Sequence, residues 1–300
     1  MTEPRKTAAD YAPETLKLFD QYVHGDISRR EFLTGAARYA TAGVTALAIL
    51  QSLQPNYAMG QQVAPDDTRL TASFLQFESP QGYGAALGYL VGPAGYERSG
   101  KKYPVVLVVH ENRGLNPHIQ DVTRRLALEG FIAFAPDALF PLGGYPGDED
   151  KARELFGTLD QTKSRHDFIA AAKFLQALPH SNGHLGVTGF CYGGGIANFL
   201  ATQLPDLKAA VPFYGRQAEA AQIAAIQAPL LIHYASDDER VNAGAKAYDE
   251  ALKAAGKNAV SYTYPNTQHG FHNDTTPRYD KAAAELAWQR TISFFKQHLA

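Results

Sequence analysis

One cysteine, one tryptophan and two methionines are a sparse supply for 300 residues. A single thiol excludes intrachain disulfides, a C-x-x-C redox pair and a zinc site built on paired cysteines, and gives no support for an oxidising compartment. Excess charge is lacking too: 28 Lys and Arg face 30 Asp and Glu, a formal net charge of −2. Such a balance offers no electrostatic reason to expect nucleic acid or an anionic membrane as partner. Internal repeats and long low-complexity tracts are absent, and no apolar run is long enough for a membrane-spanning helix. Hydrophobic content, by contrast, is 45%. At this length that is ample for one large α/β domain without forcing a second.

The most informative stretch is Gly189-Phe190-Cys191-Tyr192-Gly193, preceded by a short β-rich run over 185–188 and followed by a segment able to form a helix. This is a G-x-nucleophile-x-G elbow with Cys where most such elbows carry Ser. Small residues two positions either side let strand and helix approach, and the turn lifts Sγ above the sheet at a helix N-terminus. Backbone N–H groups and the helix dipole there favour a thiolate and a developing oxyanion. Read alone, the same residues also fit a glycine-rich turn around an inert buried thiol.

Alternation over 71–79 and 83–91 predicts two antiparallel strands, and Val105-Val106-Leu107-Val108-Val109 reads as a strand buried on both faces. Further strands are expected over 131–135, 209–214, 229–234 and 260–264, with helices over 117–129, 148–159, 162–177, 242–255 and 277–299. Asn116 and Pro117 form a helix start, N-cap and first turn. Alternating strands and helices imply an α/β fold over 70–300, a mostly parallel central sheet with helices on both faces. Sites in such sheets lie at the carboxyl ends of the strands.

Residues 1–60 differ. Residues 14–23 predict a short amphipathic helix, and Ser28-Arg29-Arg30-Glu31-Phe32-Leu33 precedes a mildly apolar run over 39–50. That combination resembles a twin-arginine export signal, which implies the export machinery as partner and a periplasmic location. The long region before the arginines and the poor cleavage site at Asn56-Tyr57-Ala58 fit instead a retained helical extension and a cytoplasmic protein.

Two partners follow Cys191 in chain order. Asp237 and Asp238 come just after one predicted strand, and His269 comes just after another, the nucleophile–acid–His order of α/β-hydrolases. The imidazole would take the thiol proton and later protonate the leaving group, and the carboxylate would fix its tautomer. One aspartate could serve only as an N-cap. His269, His272 and Asp274 together could bind a metal, but that loop lacks a ligand scaffold, so no metal or cofactor is expected.

Gly189-Phe-Cys-Tyr-Gly-Gly, His110-Glu111-Asn-Arg-Gly, Phe134-Ala-Pro-Asp137, Asp238-x-x-Val241 and His269-Gly-Phe, in that order, resemble the dienelactone hydrolase (carboxymethylenebutenolidase) family. The resemblance implies Cys191 as nucleophile, His269 as base, Asp238 rather than Asp237 as orienting acid, and Glu111 beside the thiol as part of its activation. It implies an oxyanion hole of the Tyr192 and Asn112 backbone N–H groups. Members acting on dienelactones hold a substrate carboxylate with arginines. Here Asn273 stands near one such place, and Lys151 or Arg153 only approximate the other; Arg113 could supply a cation instead. The expected activity is hydrolysis of a small ester or lactone through an acyl-cysteine. A thiol redox protein would lack its resolving cysteine, a noncatalytic binding protein would be expected to have lost a member of the set, and a serine peptidase would not carry the Cys.

Overall fold

In the computed structural model, residues 5–40 and 44–300 are described. The catalytic unit is an eight-stranded sheet in the order β1-β2-β4-β3-β5-β6-β7-β8. Its strands are β1 (Leu70–Ser79), β2 (Gly84–Pro93), β3 (Tyr103–Val109), β4 (Ile132–Pro136), β5 (Ser181–Phe190), β6 (Ala209–Phe213), β7 (Leu230–Asp237) and β8 (Ala259–Gln268). β2 runs antiparallel to β1 and β4, and every pairing from β4 across to β8 is parallel. The protein has the α/β-hydrolase fold, with the mostly parallel sheet expected from the sequence.

β3 shows why the sheet is covered on both sides. Val105, Leu107 and Val109 enter one apolar core, and Val106 and Val108 enter the other. Successive side chains of a strand point to opposite faces, so an unbroken apolar run needs a helical layer on each. The first core is closed by α7 (Gln161–Gln176), α8 (Tyr192–Gln203) and α9 (Glu239–Ala254). The second is closed by α5 (Pro117–Leu128) and α10 (Lys281–Leu299). α5 begins as read from the sequence: the Asn116 side chain accepts from Ile119 N–H, and Pro117 occupies the first turn. α6 (Glu149–Gly157) lies between β4 and α7 in the chain. The closing helix starts at Lys281 rather than near 277, because Asp280 provides its N-cap by accepting from Ala283 N–H.

The N-terminal residues form α1 (Pro13–His24), α2 (Arg29–Ala36), α3 (Ala46–Leu53) and the single turn α4 (Tyr57–Gly60). Leu16, Phe19, Tyr22, Phe32, Ala36, Ile49, Leu50 and Leu53 make a third, separate apolar core. Ser28 and Glu31 form a reciprocal capping box at the start of α2, so the Ser28–Leu33 motif is here a helix N-terminus. Of the apolar run over 39–50, residues 41–43 lie outside the described residues. Among those described, no helix is long and apolar enough to cross a membrane.

The linker is tied down by buried polar contacts. Asp121 accepts from Val63 N–H at 2.8 Å, Arg124 Nε donates to the Val63 carbonyl at 3.0 Å, and Arg125 joins the Gly60 carbonyl (2.9 Å) to Asp274 (2.6 Å). These bonds carry the chain from the N-terminal helices to β1 across the face of α5.

Candidate active site

The elbow is built from close backbone contacts. A Cβ on Gly189 would sit 2.1 Å from the Gly193 carbonyl oxygen, and one on Gly193 would sit 2.2 Å from that of Val109. Any side chain at either position would therefore push the strand–turn–helix apart. Cys191 itself is held at φ 55°, ψ −112°, a conformation that a non-glycine residue seldom adopts. The Cys191 N–H donates to the Phe213 carbonyl at 3.1 Å, and its own carbonyl accepts from Gly195 N–H. Neither the Tyr192 nor the Asn112 N–H is used in a turn, loop or cap bond among the described residues.

Asp238 performs two tasks with its two oxygens. Oδ1 caps α9 by accepting from Val241 N–H at 3.2 Å, and Oδ2 lies 2.5 Å from His269 Nδ1. The cap role and the imidazole role thus fall on the same residue. Asp237 is exposed and accepts from the Gln268 side chain instead. Buried His269 leaves Nε2 without a hydrogen-bond partner, and a nitrogen of its ring lies within 4.8 Å of Cys191 Sγ. Burial alone raises a thiol's pKa, but the His269 and His24 imidazoles outweigh it and bring Cys191 down to about 5. Burial likewise opposes charge on His269, and the Cys191 thiolate with Asp238 raises it to about 10. Both shifts favour charge on Cys191 and on His269, with the Asp238 carboxylate beside the imidazole.

The β3 end is organised by His110. Its Nδ1 donates to the Glu111 carbonyl at 2.5 Å, and its Nε2 accepts from Ala138 N–H at 3.1 Å. Beyond it, the Glu111 carboxylate accepts from Asn273 Nδ2 at 3.0 Å, and no hydrogen bond joins it to Cys191. Both line the small chamber over the thiol, as do Asn112 and Arg113. Arg113 is buried; its Nη1 donates to the Asn112 side-chain oxygen at 2.7 Å, and its Nε lies 3.5 Å from Glu149. Arg153 turns away to the Tyr22 carbonyl and ring, and Lys151 does not reach the chamber.

The loop metal cluster weighed from the sequence does not assemble. His272 stacks on Phe190, and burial pushes its pKa down to about 3. Asp274 pairs with Arg125 and His118. Among the described residues, the one group with metal-ligand spacing is His24, Cys191 and His269. Its His24 Nε2 also lies 2.7 Å from Arg240 Nη2, which places a cation beside the atom a metal would have to bind.

His24 is the residue that sequence reasoning missed. It ends α1, its Nε2 lies 3.4 Å from Cys191 Sγ, and its ring meets that of His269 edge-on at 4.7 Å. Arg278, which also lines the chamber, was missed as well; it contacts Asp20 at 3.4 Å. A lone His before a glycine at a helix end carries no motif, and Arg278 lies nine places past His269, outside the His-Gly-Phe motif. Nothing in the local pattern marks either.

The dienelactone hydrolase family model matches residues 87–299, and a YqhI-like family model matches residues 2–40. The chain is 53% identical over 119 residues to the "Putative hydrolase fragment YghX" of Escherichia coli (strain K12), covering 40% of this chain and 99% of that one. It is 31% identical over 272 residues to a "Putative carboxymethylenebutenolidase" of Methylorubrum extorquens, covering 83% and 91%. Among solved structures, a "Putative Dienelactone Hydrolase" of Klebsiella pneumoniae superposes with TM-score 0.66 at 29% identity, over 76% of this chain and 99% of the other.

Proposed function

Since the chain belongs to the dienelactone hydrolase family of α/β-hydrolases and is a carboxylic ester hydrolase, we propose that it cleaves a small ester or lactone through an acyl-Cys191 intermediate. One observation carries this reading: His269 is anchored through Nδ1 by Asp238, its buried Nε2 is left without a hydrogen-bond partner, and a nitrogen of the same ring lies within 4.8 Å of Cys191 Sγ. In the first half-reaction the Cys191 thiolate attacks the carbonyl carbon, and the C=O π electrons move onto oxygen. The Tyr192 and Asn112 N–H groups would receive that oxyanion. Collapse breaks the bond to the leaving oxygen, which takes the Nε2 proton of His269. In the second, His269 removes a proton from water, hydroxide adds to the thioester, and the acid leaves as Cys191 regains its thiolate. Asp238 stays ionised throughout and holds the tautomer.

Glu111 belongs to this proposal as a group that takes part in activating the thiol: it lines the chamber with Cys191, and its carboxylate accepts from Asn273 in the resting site. Both chamber arginines already have carboxylate neighbours, Arg113 with Glu149 and Arg278 with Asp20. Among the described residues, each arginine lining the chamber is thus already matched by a carboxylate, which supports neutral esters or lactones as substrates. The deciding experiment is hydrolysis of short-chain aryl esters and lactones by wild type and Cys191→Ala. Activity should fall roughly 10³-fold or more. Wild-type rates in the variant would refute the acyl-cysteine route.

Location is a separate proposal. The Ser28–Leu33 motif supports twin-arginine export, and the burial of Phe32 and Ala36 within a packed helical unit supports a retained extension.

A further inference from the structure

The end of α1 stands over the thiol. Besides the His24–Sγ contact, the Val23 carbonyl accepts from Asn112 Nδ2 at 2.8 Å and from Arg113 at 3.4 Å. Space above Sγ is reduced to a chamber of about 40 Å³, enough for a single water, whose share of liquid volume is about 30 Å³. No ester fits there. A far larger cleft, about 630 Å³, lies between α1 and the loops after β7 and β8. Asp20, Arg240, His269 and Arg278 are among its lining residues, and His269 and Arg278 line the small chamber as well.

His24 lies between the two spaces. Its Nε2 is 3.4 Å from Cys191, which lines the chamber, and 2.7 Å from Arg240, which lines the cleft. Its Nδ1 donates to the Asp20 carbonyl at 2.7 Å. Arg240 is exposed, so the hold it exerts on the ring is shared with water and weak. Gly25, left-handed at φ 85°, ends the helix directly after His24. For the two spaces to join, the imidazole must swing, giving up the Asp20 carbonyl and the Asp20 carboxylate 3.4 Å from Nδ1 as well as Arg240.

We infer that the cleft beneath α1 is the substrate-binding site and that His24, contributed by the N-terminal unit, is a specificity-determining partition between it and Cys191. This rests on Cys191 being the reacting thiol. The ring admits a substrate only by moving toward the cleft, so the acyl group that reaches Sγ is limited by how far His24 can turn. The cleft lining carries more carboxylates (Asp20, Asp26, Asp237, Asp238 and Glu239) than cations (Lys17, Arg240 and Arg278), which disfavours a carboxylated substrate and suits a neutral polar ester.

The test uses the full chain and alkylation of Cys191, which does not depend on hydrolysis. Rates with iodoacetamide and with a bulky N-aryl maleimide are measured at one pH and expressed as a ratio, which cancels the thiolate fraction. His24→Ala should raise the bulky-to-small ratio tenfold or more, and His24→Phe, with a larger ring and no polar atom to draw it to Arg240, should lower it. His24→Ala should also shift kcat/KM toward longer acyl esters. A bulky-to-small ratio in His24→Ala equal to that of the wild type overturns the partition. Failure of Cys191→Ala to lose hydrolysis would instead overturn the acyl-cysteine reading.

Discussion

Cys191 is in effect the product of two histidines. His269 and His24 draw its pKa to about 5, against about 8.5 for an ordinary thiol. Alkylation by a small neutral reagent follows the thiolate, so the rate should be flat across pH 6–8 and fall about tenfold per unit below the shifted value. In His269→Gln the midpoint should move upward toward the ordinary range. A wild-type midpoint near that of a free thiol would contradict the thiolate–imidazolium pair. Asp238 and Asp237 make a second contrast between neighbours. Asp238→Asn keeps a competent N-cap for α9 but presents an amide to His269 Nδ1, so kcat should drop roughly 10³-fold with helix content unchanged. Asp237→Asn alters contacts only with Ser236 and Gln268, away from His269, and should leave kcat within about twofold. Equal losses in the two variants would reverse the assignment.

The N-terminal helices are held by apolar packing more than by charge. Phe32 is fully buried, edge-on to Phe19 and tilted against Tyr22. Exposed pairs such as Lys17–Glu239 add little, because water screens them. Phe32→Ala should cost about 3–5 kcal/mol within this small core. Hydrogen exchange should then show residues 13–36 losing protection while β3 and β5 keep theirs. Unchanged exchange over 13–36 would mean that the aromatic cluster is not what holds them. The elbow is a second element-scale constraint: Gly189→Ala sets a methyl against the Gly193 backbone and should displace Cys191 even where the fold survives.

For the whole molecule the question is where the protein works and on what. Replacing Arg29 and Arg30 by Lys should retain a tagged protein in the cytoplasm if the pair is read for export, since Lys keeps the charge but not the guanidinium. A wild type found in the cytoplasm with an intact Met1 N-terminus would favour the retained extension. Charge in the substrate can be probed with a carboxylated lactone against its methyl ester. Neutral substrate should be used at least as well, and Asn273→Arg should improve the acid about 10- to 150-fold, the equivalent of one charge-assisted contact. A strong wild-type preference for the acid would mean that Arg113 or Arg278 exchanges its carboxylate neighbour for the substrate's.

What could be read from the chain alone was local or periodic. The doubly buried run of β3, the helix start at Asn116-Pro117 and the glycine-spaced elbow each follow from rules of a few residues. Cys191, Asp238 and His269 were legible because each sits at the end of a strand, where a parallel sheet gathers its site. Choosing Asp238 over Asp237 relied on resemblance, and the two-oxygen arrangement that explains it exists only once α9 and the β8 loop meet. His24 was beyond reach for a physical reason: it approaches Cys191 across 167 positions of chain, through the docking of a separate helical unit whose own core says nothing about what it covers. Sequence periodicity determines which face of α1 is apolar; only the packed molecule decided that its last side chain would stand on the thiol.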